Sequence, residues 1–299
     1  MSQILKLKPF KKTEHMKIIE HLHDILFFEQ WALRFDMSSG MPGPMERFRE
    51  MRPPRDRFWA DPHVVFWGNR YYVFLEEYVY KDNKAHISVI EIDDEGHHTE
   101  PISVLEESYH LSYPFVFEYE GALYMIPESC ENRTIQLYKA VQFPYKWEFQ
   151  MNLMTDVVAV DTTLYFKNDK WWLFTNIAKE EGKETWRNLF LFSSETLFTD
   201  DWCPHINNPV ISGVDAARPA GAIFEHLGKL YRPSQDSEQR YGHGFNINEI
   251  LCLDEQNYSE KVVVSVKPNW DTKVVATHTF SQAKNLSVID VQVRRRRWF

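Results

Sequence analysis

The sequence contains little cysteine and little glycine. Its 299 residues include three cysteines and eleven glycines. Cys130, Cys203 and Cys252 are odd in number and widely spaced, which fits neither a disulfide framework nor paired zinc ligands. The low glycine count excludes collagen-like and linker-rich chains. Because the thiols are expected to stay reduced, we predict a cytoplasmic protein.

Basic charge and long apolar runs are scarce as well. The formal net charge is −9, whereas a general nucleic-acid binder needs a broad basic face. No stretch approaches the roughly 18 apolar residues that a membrane span requires. Residues Met1–Lys12 are basic, but no apolar run of signal-peptide length follows them. The sequence therefore predicts no nucleic-acid partner and no transmembrane segment.

Aromatic residues, by contrast, make up 15% of the chain, which excludes intrinsic disorder. Many of them fall within an internal repeat of roughly 50 residues, a period typical of propeller blades. Each copy has a polar head, an apolar run, a turn and a second apolar run that ends on a polar side chain. The heads are Asp61, Tyr113, Asp161, Arg218 and His278.

The spacing inside the copies predicts the fold. Glu76 and Glu128 each lie 15 residues after their heads, whereas the fourth copy needs one inserted residue and the fifth is degraded. Further strand-like segments, such as His86–Ile92 and Thr134–Ala140, lie between the copies. Three or four short strands in each of five copies predict an all-β, five-bladed β-propeller. A β-sandwich with accidental similarity is the alternative.

Three regions are expected along the chain. Residues 1–54 hold a short amphipathic α-helix at Lys17–Phe28, a strand at Trp31–Phe35 that closes the last blade, and a crossing loop. Residues 55–293 form the propeller. Residues 294–299 are a basic tail, which is either solvated or in peripheral contact with anionic lipid or a polyanionic glycan.

The repeat also predicts a site. The innermost strand of each blade faces the axis of a propeller, so equivalent side chains converge on one central cavity. We predict catalytic roles for Asp61, Asp161 and Glu128, and substrate-binding roles for Glu76, Tyr113, Arg218, Arg232, Gln235, Asp236, His278 and Trp59. No ligand spacing supports a metal site, and no cofactor is expected.

Structural roles for the same residues stay open. Asp61 stands before Pro62 and also fits a simple turn. Arg218 and Arg232 also fit structural ion pairs with the inner carboxylates. Strand alternation sends only one residue of the Glu76–Glu77 pair inward, and the matching offset favours Glu76.

Converging carboxylates beside aromatic rings are typical of sugar chemistry. Glycosyl transfer uses paired carboxyl groups as base or nucleophile and acid. Trp59, Trp171 and Trp172 lie near the head or inner positions, where their rings can stack on pyranose faces. Arginine and histidine among the heads indicate a ligand that carries phosphate or carboxylate.

Several motifs resemble the N-terminal propeller domain of plant glucosamine inositolphosphorylceramide transferases. The motifs are Arg57-Phe58-Trp59-Ala60-Asp61-Pro62, Tyr72 to Glu77, His110 to Phe115, Met125-Ile126-Pro127-Glu128, Asn132-Arg133-Thr134, Ala217 to Gly221, Tyr231-Arg232-Pro233, Gln235-Asp236 and Thr277-His278-Thr279. Bacterial relatives of this family stand alone or are attached to sugar formyltransferase-like domains. The resemblance, over about Trp31 to Asp290, implies a role in surface-glycan or sugar-nucleotide pathways.

A wider resemblance is to glycoside hydrolases of families 43 and 32, which are also five-bladed propellers. Their pattern has Asp at the first blade, Asp at the third and a Glu acid at the fourth. Asp61 and Asp161 match the first two positions, but the fourth is Arg218. The usual proton donor is therefore missing, unless Glu128 replaces it from the second blade.

Three functions are consistent with these residues. In a glycosyl-transfer enzyme with a phosphate-activated donor, Asp61 or Asp161 is the base and Arg218, Arg232 and His278 hold the leaving phosphate. A phosphate leaves as a stabilised anion and needs no strong protein acid, which fits the lost Glu. The alternatives are a glycoside hydrolase and a non-catalytic glycan-binding module. A sugar nucleotide or a glycan is the expected ligand.

Overall fold

The computed structural model describes residues 26–178 and 185–297, and most of these residues lie in β-strands. The described strands form five antiparallel sheets, which are the blades of a five-bladed β-propeller. The predicted fold class is therefore confirmed. Among the described residues, no helix is long and apolar enough to cross a membrane.

The strands, in chain order, are β1 (Phe27–Asp36), β2 (Arg49–Met51), β3 (Arg57–Trp67), β4 (Arg70–Val79), β5 (Lys84–Ile92), β6 (Ile102–Leu105), β7 (Ser112–Tyr119), β8 (Ala122–Ser129), β9 (Thr134–Gln142), β10 (Lys146–Thr155), β11 (Ala159–Lys167), β12 (Lys170–Ile177), β13 (Asn188–Ser194), β14 (Cys203–Pro204), β15 (Ile211–Ser212), β16 (Phe224–His226), β17 (Lys229–Asp236), β18 (Gly244–Leu253), β19 (Tyr258–Val266), β20 (Val274–Ala276), β21 (Phe280–Ala283) and β22 (Leu286–Arg296). Two short 3₁₀ helices cover Met45–Arg47 and Cys130–Asn132.

Four blades are built from consecutive strands, and the fifth joins both ends of the described chain. The consecutive blades are β3–β6, β7–β10, β11–β14 with β15 beside β13, and β16–β19. The closing blade has the order β2-β1-β22-β20, with β21 also paired to β22. The strand predicted at Trp31–Phe35 lies within β1, which pairs with β22 along its whole length and so closes the ring.

The register of the inner hairpins confirms the sequence repeat. Each residue before a head pairs with the polar end of the second strand, in the pairs Ala60 with Glu76, Ser112 with Glu128, and Val160 with Asn176. The equal offsets in the sequence therefore correspond to equal places in three blades.

Aromatic side chains fill the space between blades. Trp171 and Trp172 are adjacent on β12, so their rings point to opposite faces of the strand. Trp171 packs on the second blade beside Phe115, whereas Trp172 packs on the fourth beside Ile250. Both indoles are buried, so they hold neighbouring blades together rather than lining a ligand cavity.

Two details at the ends differ from expectation. Most of the helix predicted at Lys17–Phe28 lies outside the described residues, but Phe27 and Phe28 begin β1 because their backbone pairs with Arg296 and Arg295. The basic run also starts inside the sheet, since Arg294–Arg296 are the last residues of β22. The propeller therefore extends beyond residue 293.

Candidate functional site

Three of the five heads adopt a left-handed backbone at a β-bulge. Asp61, Tyr113 and Asp161 have φ angles of 50°, 39° and 52°, a region that non-glycine residues rarely occupy. Each lies where the pairing of its inner hairpin shifts register by one residue. A bulge leaves one residue unpaired and re-aims its side chain. The same strained feature in three blades indicates that the head positions are held for a purpose.

The first and fifth blades contribute one half of an axial cluster. Thr279 Oγ1 donates to Asp61 Oδ1 at 3.1 Å, and His278 Nε2 lies 3.3 Å from the same oxygen. On its other side, His278 Nδ1 lies 2.7 Å from Asp290 Oδ2. Asp290 is fully buried and also accepts the backbone N–H groups of His278 and Thr279, so it fixes this segment beside Asp61.

The charges of this half-cluster depend on each other. Burial raises the pKa of Asp61 to about 7, although the His278 cation opposes the rise. Burial lowers the pKa of His278, but the charge of Asp290 and the nearby Asp61 outweigh it and raise that pKa to about 9. Asp61 therefore changes its protonation near neutral pH beside an imidazolium that stays charged.

The second, third and fourth blades contribute the other half. The Arg218 guanidinium makes a bidentate pair with Asp161, through Nε to Oδ2 and through Nη2 to Oδ1 at 3.2 Å. Gln235 Nε2 donates to Asp161 Oδ2 at 2.9 Å. The backbone N–H of Asp161 donates to Glu128 Oε2 at 3.3 Å, and that oxygen lies 3.7 Å from Arg218.

Glu128 is the carboxyl group most strongly biased toward its neutral form. Burial raises its pKa well above the ordinary value, and the charge of Asp161 adds to this effect against the opposing Arg218. The Cys130 thiol donates to Glu128 Oε1 at 3.2 Å. The surroundings of Glu128 therefore favour its protonated form more than those of an exposed glutamate do.

Tyr113 and Glu76 complete the axial ring. The Tyr113 hydroxyl accepts the backbone N–H of Gly221 at 2.8 Å and lies 2.9 Å from Thr163 Oγ1, so it joins three blades. Glu76 lies 3.1 Å from His110 Nε2, and the glutamate raises the pKa of this histidine although burial opposes it. Asn176, at the equivalent place in the third blade, is fully buried with both amide atoms unpaired among the described residues.

Three predicted ligand contacts lie apart from the cluster. Trp59 donates its indole N–H to Glu77, which is also held by Arg57, His86 and Ser88. Arg232 is paired with Glu260 of the outer strand β19, and Asp236 is paired with Lys267. These side chains stabilise blades, whereas Glu76 rather than Glu77 meets the axial region as its offset indicated.

Two aromatic residues at the cluster were not predicted from the sequence. The Arg218 guanidinium lies 5.3 Å from the centre of the Tyr241 ring, and this ring lies 5.7 Å from His278. Trp186 packs edge-on against Tyr241 at 6.3 Å. Tyr241 follows the polar end of β17 by five residues, and this position in the loop was the available signal. The two rings form an aromatic lip over the acidic cluster.

Asp61, His278 and Asp290 form a candidate cation site, because each offers a ligand atom within 4.8 Å of the others. These donors suit a divalent metal ion only when the imidazole is neutral. Although burial lowers the pKa of His278, the nearby carboxylates of Asp290 and Asp61 raise it to about 9. Asp290 accepts three backbone N–H groups, from Asp61, His278 and Thr279. The three residues therefore form an ion-paired triad.

The protein is thus a five-bladed propeller with buried acids, an arginine and a histidine gathered at its axis. Residues 50–298 match the family described as glucosamine inositolphosphorylceramide transferase 1, N-terminal, and the chain belongs to that family. It is 34% identical over 212 residues to the Arabidopsis thaliana protein named glucosamine inositolphosphorylceramide transferase 1, and the rice (Oryza sativa subsp. japonica) protein of that name is 32% identical over 206 residues. Each match covers 68% of this chain and 27% of the relative.

Solved structures establish the same fold. The catalytic domain of a Coprinopsis cinerea family-62 α-L-arabinofuranosidase superposes with a TM-score of 0.60 at 12% identity, over 87% of this chain and 97% of the other. A Bombyx mori family-32 β-fructofuranosidase gives 0.56 at 12% identity, over 93% and 64%. A thermostable family-43 glycoside hydrolase gives 0.52 at 13% identity, over 69% and 75%. At these identities the likeness concerns the fold alone.

Proposed function

We propose that the protein is a carbohydrate-active enzyme that transfers a glycosyl group from a phosphate-activated sugar in surface-glycan biosynthesis. The observation that carries this proposal is Asp61, a buried acid whose pKa of about 7 suits a general base at neutral pH. The relatives' names support sugar transfer, although the chain spans about a quarter of their length.

In this mechanism Asp61 accepts the proton of the acceptor hydroxyl. The acceptor oxygen then forms a bond to the anomeric carbon, and the phosphate leaves with the electrons of the broken carbon–oxygen bond. The His278 imidazolium, 3.3 Å from Asp61, disfavours premature protonation of the base because it stabilises the carboxylate. Asp290 is a positioning residue, since it holds His278 and the following N–H group.

In this proposal, Arg218 holds the leaving phosphate. Its pair with Asp161 uses the Nε and Nη2 donors, and Nη1 has no hydrogen-bond partner among the described residues. An arginine presents five N–H donors in a planar fork, so one edge can stay on Asp161 while the other meets an anion. In the aromatic lip, the Tyr241 ring lies 5.3 Å from the guanidinium carbon and Trp186 packs against Tyr241, and such rings are suited to stacking on a sugar ring.

Hydrolysis is the second candidate, and Glu128 favours it. A buried carboxyl group with a strongly raised pKa can donate a proton to a departing sugar oxygen. With Glu128 as acid and Asp61 or Asp161 as base or nucleophile, the cluster would cleave a plain glycosidic bond. This reaction requires no phosphorylated donor, which separates it from transfer. A non-catalytic glycan-binding module would use the same cavity without turnover.

The test is a panel of nucleotide sugars and plain oligosaccharides, with release of nucleotide and of reducing sugar measured separately. Transfer predicts nucleotide release that depends on an acceptor, and a loss of about 10² to 10⁴-fold in Asp61→Asn. Glu77→Gln is the matched control, because it removes a buried carboxylate of the blade network rather than the axis.

Each outcome selects one function. Turnover that survives in both Asp61→Asn and Asp161→Asn contradicts the proposed base. Reducing sugar released without any phosphorylated donor indicates the hydrolase. Binding without turnover across the whole panel indicates the binding module.

We also propose a cytoplasmic location. Cys130, Cys203 and Cys252 are all unpaired thiols, as expected of a protein in a reducing compartment. Cell fractionation with a thiol-reactive label tests this, and recovery of the protein with blocked thiols outside the cytoplasmic fraction would contradict it.

A further inference from the structure

A cavity lies beside the closing blade, away from the axial cluster. Its volume is about 620 Å³, within the range of small-molecule sites. The end of β22 and the loop before β20 form one wall, and β2 with the segment after it forms the other. The lining residues are Phe27, Arg34, Glu50, Arg52, Arg55, Asp271, Thr272, Lys273, Val293, Arg294, Arg295 and Arg296. We refer to this cavity as the basic groove.

Positive charge is in excess in the basic groove. Among the described lining residues, seven side chains are cationic and two are acidic, although the whole protein has a net charge of −9. Each acid already has an arginine partner, because Arg34 lies 2.7 Å from Asp271 and Arg52 lies 2.5 Å from Glu50. Arg294 is paired with Glu29 outside the groove at 3.7 Å, whereas Lys273, Arg295 and Arg296 have no carboxylate partner among the described residues.

Arg295 is a half-buried side chain that lies close to other positive charges of the basic groove. It donates to two neutral acceptors, Gln30 Oε1 and the carbonyl of Pro53, and not to a carboxylate. Burial lowers the pKa of Arg295, and repulsion from Arg52 and Arg55 adds to the effect. Gathering like charges in a partly dehydrated place is unfavourable unless an anion offsets them.

Two further cations stand at the groove with their head groups available. Lys273 and Arg296 are exposed, and neither side chain has an ion-pair partner among the described residues. The backbone carbonyl of Lys273 accepts a hydrogen bond from Arg294, so the loop is held while the ammonium group stays at the groove. A lysine point charge beside several arginine forks is a common arrangement for phosphate recognition.

The groove is separate from the axial cluster. Asp290 and Arg294–Arg296 lie on the same strand, four to six residues apart, which is about 13 to 20 Å at the usual rise of a strand. The lining residues of the groove include none of the axial side chains. A ligand bound here would therefore occupy a different place from the sugar at the axis.

From these observations we infer that the basic groove binds a phosphate-bearing anion, either a free diphosphate or the phosphate of a lipid headgroup. Several arginines can each engage phosphate oxygens through two N–H groups, and the groove supplies more cations than one carboxylate would need. The volume suits a compact group rather than an extended polymer. Arg294–Arg296, the described start of the basic run predicted to make a peripheral contact, would then be part of this site.

The test is binding of inorganic pyrophosphate by calorimetry, alongside co-sedimentation with vesicles. One vesicle preparation contains phosphatidylcholine alone, and the other contains equal parts of phosphatidylcholine and phosphatidylinositol. The variant is the double substitution Lys273→Ala and Arg296→Ala, which removes two exposed cations and keeps the backbone bonds. We expect it to weaken binding by at least about tenfold, with a smaller dependence of affinity on salt.

The control removes the same charge elsewhere. Arg70→Ala with Lys146→Ala truncates two side chains that are 60% and 65% exposed and lie outside the groove. We expect this variant to bind like the wild type, within about twofold. Pyrophosphate binding that follows these expectations assigns a free diphosphate, and vesicle binding alone that follows them assigns a lipid headgroup.

Other results overturn the inference. Absence of binding to both pyrophosphate and phosphatidylinositol vesicles excludes the site, as does equal weakening in the two double variants. Binding lost in Arg218→Lys but kept in the groove variant places the anion at the axis instead. Since these measurements need no turnover, their failure is distinct from failure of the proposed glycosyl transfer.

Discussion

Two buried arginines lie in the fourth blade, and the difference between them separates support from function. Arg232 is 1% exposed and gives Nε and Nη2 to both oxygens of Glu260, and it also donates from Nη2 to the carbonyl of Ala216 and from Nη1 to that of Ala217. Arg218 gives a similar bidentate pair to Asp161 but keeps Nη1 without a partner among the described residues. Both arginines are buried and ion-paired, but Arg232 uses more of its N–H donors than Arg218 does.

Among buried charges, the number of N–H donors left without a partner distinguishes a ligand site from a structural ion pair. Arg232 uses four of its five N–H groups within the blade, whereas Arg218 uses two, so the main role of Arg232 is to hold β17 to β19. Arg218 instead lies 5.3 Å from the centre of the Tyr241 ring and 3.7 Å from Glu128, and its Nη1 has no partner among the described residues. The predictions below test whether this distinction is real.

The largest effect is expected on stability, from loss of the ion pair between Arg232 and Glu260. Arg232→Met leaves the Glu260 carboxylate buried without its main partner, which should lower the free energy of unfolding by about 3 to 5 kcal/mol. Denaturant unfolding measures the change. The double variant with Glu260→Leu should recover most of the loss, because both charges are then absent. A double variant no more stable than the single one would show that the pair is not the cause.

The axial pair of His278 and Asp290 should make stability depend on pH. The pKa of His278 is raised from 6.5 to about 9, so the folded state gains from its proton fully below pH 6.5 and loses this gain as the pH rises toward 9. Over this window the wild type should lose on the order of 3 kcal/mol more than His278→Gln. Equal pH slopes for the two proteins would mean that His278 is not held as a cation.

Substitution of Arg218 should affect ligand binding more than folding. Arg218→Lys keeps the positive charge but loses the planar fork, so affinity for a phosphate-bearing donor should fall about 10 to 100-fold. Calorimetric titration measures the affinity, and unfolding should show a smaller destabilisation than in Arg232→Met. An unchanged affinity would remove the main distinction between the two arginines.

The smallest effect is expected at the aromatic lip. Tyr241 is 46% exposed, so Tyr241→Ala should change the free energy of unfolding by no more than about 0.5 kcal/mol. Loss of the ring should raise KM about tenfold, since this corresponds to about 1.4 kcal/mol of ligand contact. Tyr241→Phe keeps the ring and serves as the control. A KM that rises as much in the Phe variant would indicate that the hydroxyl, not the stacking face, is used.

The blades were predictable because their inner hairpins share one length and one bulge. Glu76, Glu128 and Asn176 occupy equal places in the register, so equal sequence offsets were sufficient to find them. The inner hairpin of the fifth blade does not share this length. Phe280 pairs with Ile289 across a hairpin two residues shorter than that from His63 to Phe74, so the position equivalent to Glu76 is Val291, and no repeat offset leads to Asp290.

The partners of buried charges were not predictable in the same way. Arg232 and Arg218 both fitted an axial role or a structural ion pair, because nothing local indicates that Glu260 of an outer strand meets one and Asp161 of another blade meets the other. Such contacts join residues far apart in the sequence. Only the folded arrangement shows which donors are used and which stay available.

The most direct measurement is a crystal structure of the protein soaked with a sugar nucleotide that it binds. We predict that a phosphate of the ligand lies within hydrogen-bond distance of Arg218 Nη1, with the sugar against Tyr241 and its anomeric carbon facing Asp61. In the same crystal, Arg232 should contact only Glu260 and the two backbone carbonyls. A ligand that leaves Arg218 with Asp161 alone, and places its phosphate elsewhere, would contradict the account.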